Sequence, residues 1–149
     1  MPRIFRLVAG TAFAFLMFIQ MSCSDAGVAV QSDPLPPPPG QDVSFAQQIQ
    51  PIFNANGCVG CHGGSGGLFL TQGQSFVNLV NVTAQAGCTT LKRVLPGNAD
   101  QSVLYIRVSA NSADTQCGPD SRMPKGGARL SQASIDLVKN WINEGAKNN

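Results

Sequence analysis

The sequence predicts an all-α domain behind an export segment. Two stretches carry apolar residues at helical spacing behind a hydroxyl cap, one near residue 45 and one near residue 135. No pair of alternating runs joined by a hairpin turn supports a sheet. The chain has 149 residues, 43% hydrophobic and 12% charged, which suits a single small domain with no internal repeat.

Taken from its start, the chain opens with Arg3 and Arg6 ahead of an uncharged apolar run, Leu7 to Ile19. That is the layout of a secretory signal over residues 1–22, and the run is short of the roughly 20 residues a spanning helix needs. The rival is an uncleaved amphipathic or anchor helix. Cys23, between Ser22 and Ser24, stands where a bacterial lipoprotein signal has its acylated cysteine, although Gln20 departs from the leucine usual there; ordinary cleavage nearby is the alternative. Without Arg3 and Arg6 the ten basic residues become eight, against eight acidic. This balance gives no electrostatic case for nucleic acid. Residues 23–41 contain Pro34 and Pro36 to Pro39 and read as an extended tether, which fits a domain held off a membrane by a lipid anchor.

The domain proper spans residues 42–147. Four of the eight phenylalanines lie in the signal, so few large aromatic residues remain, and the domain would gain from an apolar group supplied from outside. Its first helix is expected to start at the cap Ser44, with Gln47 closing a capping box, Phe45, Ile49, Ile52 and Phe53 on one face, and Pro51 kinking it or marking its last turns. Shorter helices are expected over Ser75 to Val82 and Asp100 to Val108, and loops over Gly63 to Gly67 and Asn111 to Gly127. The last helix has Ser131 as cap, Leu130 and Ile135 as a hydrophobic staple, Val138, Trp141 and Ile142 on one face, and Gly145 as its stop.

The first helix delivers the chain into Gly57-Cys58-Val59-Gly60-Cys61-His62, which holds the only histidine. The spacing C-x-x-C-H is the c-type haem attachment signature. On one helical turn Cys58 and Cys61 fall on the same side, each able to form a thioether to a haem vinyl group, and His62 can give a ring nitrogen to iron. Behind an export signal the motif gains specificity, because covalent attachment of this kind takes place outside the cytoplasm. Two other chemistries use the same residues. A thioredoxin-like dithiol would want strand–helix alternation around it, and a structural zinc site would want a fourth ligand at suitable spacing.

The remaining cysteines, Cys88 and Cys117, can pair in an oxidising compartment, the alternative being two buried free thiols. The sixth iron ligand follows by elimination. After signal removal Met123 is the only methionine, and a second histidine does not exist. Met123 sits in RMPKGGARLS, where Pro124 holds the preceding residue extended and two glycines let the backbone pass close to a flat ligand; an ordinary loop methionine is the alternative. Arg122 and Lys125 beside it can face an acidic partner or merely solubilise the loop.

SFAQQIQPIFNANGCVGCH, LKRVLPGNADQSVLYIRV and MPKGGARLSQASIDLVKNWINEGA together resemble the class I cytochrome c family, specifically its planctomycete-type domain, over Val43 to Ala146. The resemblance implies one covalent haem c with His62 proximal and Met123 distal, and a last helix packing across the first. The chain departs from the family in the insert carrying Cys88 and Cys117, and in Gly63-Gly64, which stands where many relatives have a proline nearby. The carbonyl partner of His62 is therefore left open. Iron held by His and Met favours the reduced state and leaves no open position, so the expected work is electron transfer between redox proteins at the periplasm or cell surface, without enzymatic chemistry. The competing expectations are a haem enzyme or gas sensor with an open or displaceable sixth ligand, and a disulfide-stapled structural module without haem.

Overall fold

The computed structural model describes residues 33–85, 87–110 and 122–149, all within one unit, residues 31–149. The expected signal, Cys23, most of the tether and Cys117 lie outside the described residues. These residues contain five α-helices and no strand: α1 (Gln50–Ala55), α2 (Cys58–Cys61), α3 (Ser75–Leu79), α4 (Val103–Ser109) and α5 (Gln132–Asn143). Four isolated bridges, such as Val80 with Val94 and Lys92 with Ser102, tie the connecting segments together. None of the described helices is long and apolar enough to cross a membrane.

Ser44 caps the first helical segment as expected, accepting from the Gln47 amide, but its own amide donates to Gln48 Oε1 at 2.7 Å rather than to the side chain of Gln47. The shift by one has a local cause. Phe45–Ile49 is wound as a π-turn, and α1 proper begins only at Gln50, with Pro51 in its first turn. Proline has no amide to give there, so it sits where one is not needed and opens the regular helix instead of ending it.

α5 follows its sequence pattern closely. Ser131 accepts from the Ser134 amide at 3.0 Å, Leu130 and Ile135 are both buried, and Val138, Trp141 and Ile142 are fully enclosed. Gly145 takes a left-handed φ of 100°, which a glycine adopts without cost. α5 lies against the first helical segment, where the Phe45 and Trp141 rings meet at 5.2 Å and Phe76 of α3 closes on Phe45 edge-on at 5.3 Å. Hydrogen bonds reinforce the pairing: the Ala46 amide donates to the Asn149 carbonyl, the Val43 amide to Glu144, and Trp141 Nε1 to the Lys147 carbonyl. The expected tether is also held near its middle, because Asp33 Oδ1 accepts from the hydroxyls of both Ser131 and Ser134 at the start of α5.

The shorter helices differ from expectation at their ends. α3 stops at Leu79 because Val80 turns extended and bridges Val94. The 99–109 stretch is a 3₁₀ turn, Ala99–Gln101, followed by α4, with a break at Ser102, whose hydroxyl donates to the Asn98 carbonyl and accepts from the Leu95 amide. A 3₁₀ turn, Ser65–Gly67, lies within the expected glycine loop.

Candidate functional site

Gly57 at φ 69° makes the turn from α1 into α2, a conformation a side chain would strain. α2 is a single turn, and it carries both motif cysteines, with neither disulfide-bonded; Cys58 is half-buried and Cys61 exposed. His62 follows as its cap, its amide donating to the Cys58 carbonyl at 2.8 Å. The chain then doubles back through the Gly63–Phe69 bridge, and the Leu70 amide donates to the His62 carbonyl at 2.8 Å. Gly64, at φ 134°, is needed for this return: a Cβ there would meet the Phe69 ring at 3.0 Å.

Behind the return stands a buried polar group that the sequence patterns do not single out. Gln50, 4% exposed, donates to the Leu70 carbonyl at 3.0 Å and accepts from the hydroxyl of Ser75, which is fully buried. Leu70 is held on one side by His62 and on the other by Gln50. The motif's last residue is therefore braced from the core.

Met123 reaches the same region from a distant part of the chain. Its amide donates to the Arg107 carbonyl near the end of α4 at 2.8 Å, and its peptide bond to Pro124 is cis. Gly127 packs on Pro124, where a Cβ would come within 3.2 Å of the ring. These contacts place Met123 on the wall of a cavity of about 490 Å³ that Cys58, Cys61 and His62 also line. The volume falls within the ~300–1,000 Å³ usual for ligand clefts. Ile52, Phe53, Leu79, Leu104 and Val138 are among the apolar side chains that make its walls. Lys125 lines it too; Arg122 does not, and donates instead to the Gly127 carbonyl.

Burial favours the neutral forms of Cys58 and His62. Burial pushes the Cys58 thiol above its ordinary value, partly offset by its backbone hydrogen bond and reinforced by the nearby Cys61. Burial also pulls the His62 imidazole below its ordinary value; the Ser65 backbone acts the other way, and Arg107 and Arg93 add to the lowering. A neutral imidazole is the form that ligates metals. His62 Nδ1 is buried with no hydrogen-bond partner. An orphaned buried nitrogen is unusual and calls for a partner.

Two soft thiols, a neutral imidazole with an orphaned nitrogen and a thioether around one apolar cavity fit a covalently attached haem. They fit zinc less well: among the described residues no three His, Cys, Asp or Glu side chains converge on one point. No strand flanks the cysteine pair among the described residues, in contrast to a thioredoxin-like setting.

Cys88 is buried in a small satellite cluster with Ala84, Val103 and Ile106, and is disulfide-bonded. Cys117, its expected partner, lies outside the described residues. Sequence patterns also missed Arg93 and Arg107, which line the cavity. The only hint was the basic residues inside the apolar runs LKRVL and VLYIRV. No protein-family model matches the chain, and no curated protein or solved structure does either.

Proposed function

We propose that this chain is an exported monohaem c-type cytochrome of the class I, planctomycete-type kind, carrying electrons between redox proteins. The observation that carries the proposal is the gathering of Cys58, Cys61, His62 and Met123 on one apolar cavity, with His62 Nδ1 buried and unpartnered. In this reading Cys58 and Cys61 supply the two thioether sulfurs, and His62 and Met123 the two axial donors. A haem c held there would supply an iron centre that exchanges single electrons with a partner. The apolar walls keep water from the donors, the Gln50–Leu70–His62 linkage holds the histidine's main chain in place, and the Arg107 carbonyl anchors the Met123 segment. A Cys88–Cys117 disulfide and acylation of Cys23 complete the proposal, the latter placing the domain at a membrane surface in the periplasm or outside the cell.

The test is the reduced absorption spectrum with and without carbon monoxide. A closed His–Met site binds the gas poorly and keeps its spectrum. Rapid, complete binding would favour the second reading, a sensor or enzyme with a displaceable sixth ligand. That reading draws on the placement of Met123 in a stretch without regular structure, tied to α4 by a backbone hydrogen bond.

A further inference from the structure

Asp33 meets α5 from 98 positions away in the sequence. Its Oδ1 accepts from the Ser131 hydroxyl at 2.6 Å and from the Ser134 hydroxyl at 2.9 Å. Ser131 is the N-cap of α5, and its hydroxyl oxygen also accepts from the Ser134 amide. α5 runs for 12 residues and has no acidic residue of its own in its first turn. Asp33 brings a carboxylate there from outside the helix, where the free amides of the first turn favour negative charge. A second observation shows that the contact belongs to a docked segment. Pro34 and Pro37 are half-buried while Leu35, Pro36 and Pro38 are exposed, the three-residue period of an extended proline-rich chain with one side laid on the domain. The Gln41 amide then donates to the Pro38 carbonyl, and Val43 enters the core. Residues 33–41 therefore form a strap latched at Asp33.

The start of α5 is also the end of the segment that carries Met123. That segment is tied at its first residue, where the Met123 amide donates to the Arg107 carbonyl, and again at Leu130, which is buried and lines the cavity. Residues 125–129 between these points are exposed, with Arg129 reaching back to the Ser109 carbonyl. We infer that Asp33 is a positioning residue for the iron site: by fixing the first turn of α5 it holds Leu130, and through Leu130 the Met123 loop, against the cavity. The proline-rich segment then does more than space the domain from an anchor, because it helps keep the sixth position closed. The inference rests on the cytochrome reading with Met123 as the distal donor. Met123 leaves iron by movement of its loop, and a loop with one loosened end opens more readily than one tied at both. The latch is a cap-and-charge contact at an exposed helix start, so its loss should raise the open fraction by about two- to tenfold.

The experiment is carbon monoxide binding to the reduced, haem-loaded full chain, for the wild type, Asp33→Ala, Asp33→Asn, Ser134→Ala, Leu35→Ser and Met123→Ala. Asp33→Ala and Ser134→Ala should each raise the affinity for the gas, by about two- to tenfold for the full loss of the latch. Asp33→Asn keeps an acceptor without the charge and should raise it less. Leu35 is 81% exposed, lies in the strap and takes no part in the latch, so Leu35→Ser should leave the affinity unchanged. Independently of haem chemistry, the backbone order parameter of the Leu35 amide should be near ~0.85 in the wild type and fall below ~0.6 in Asp33→Ala. Asp33→Ala with wild-type affinity, beside a Met123→Ala protein that binds the gas readily, would overturn the inference and leave the cytochrome reading standing. If Asp33→Ala does not fold, Ser134→Ala decides in the same way, because the Ser134 amide still reaches the Ser131 cap. A Leu35→Ser rise as large as that of Asp33→Ala, or a wild-type Leu35 amide already below ~0.6, would also overturn it. Unchanged gas binding in Met123→Ala, or absence of any covalent haem, would instead overturn the reading on which it rests.

Discussion

Replacing Gln50 by alanine should show how strongly the core braces the cysteine–histidine turn. The substitution strips the Leu70 carbonyl of its side-chain donor and the fully buried Ser75 hydroxyl of its acceptor. Each buried group left unsatisfied costs ~1–3 kcal/mol, so Gln50→Ala should lose about 2–6 kcal/mol. A domain of this size has a total stability of roughly 5–15 kcal/mol, which makes the loss large. Ser75→Ala alone orphans only Gln50 Oε1 and should cost ~1–3 kcal/mol. In the double variant only the Leu70 carbonyl is left unmatched, so the loss should fall to ~1–3 kcal/mol, well below the two single losses added. Urea unfolding followed by the tryptophan signal of Trp141 measures all four proteins, provided the slope with urea stays constant. Additive losses, within about 0.5 kcal/mol, would refute the claim that Gln50 and Ser75 form one buried unit.

Met123→Ala should lower the midpoint potential and allow carbon monoxide to bind, while haem stays attached through Cys58 and Cys61; unchanged spectrum and potential would remove Met123 from the site. Changing Cys88 and Cys117 together to serine should cost ~3–4 kcal/mol, from a loop of about 30 residues, with haem retained; mass analysis of the unreduced protein should show no free thiol at either position. In the chain freed of haem by Cys58→Ala and Cys61→Ala, His62 titrates below its ordinary value of 6.5 because burial favours the neutral ring. The unfolded chain then takes up its proton first as pH falls, so stability present above pH 6.5 is lost through the folded value below it. Urea midpoints at two pH values on either side should differ, and His62→Gln should shrink the difference.

What could be read in advance was local. The cap of α5, its buried face and its glycine stop are all signals within a few residues of one another, and each is where its pattern put it. The single turn carrying Cys58 and Cys61 was equally legible. The first helix was misread by one residue at its capping box and by the whole sense of Pro51, because the π-turn that shifts the register leaves no mark in apolar spacing. Arg93 was missed for a different reason. In Leu91-Lys92-Arg93-Val94 two basic residues are adjacent, and which one turns inward depends on pairings with distant segments, Thr83 with Lys92 and Val80 with Val94. Lys92 faces out to the Thr83 hydroxyl, and Arg93 points into the cavity. Gln50 and Ser75 lie 25 positions apart and meet only once α1 and α3 have packed.

The most direct measurement is the mass of the denatured protein made in a host that matures c-type cytochromes. The predicted result is the polypeptide plus one haem, with the added mass on the peptide containing Cys58, Cys61 and His62, and its loss in the Cys58→Ala, Cys61→Ala variant. A mass equal to the polypeptide alone, with both cysteines recovered as free thiols, would contradict the cytochrome reading.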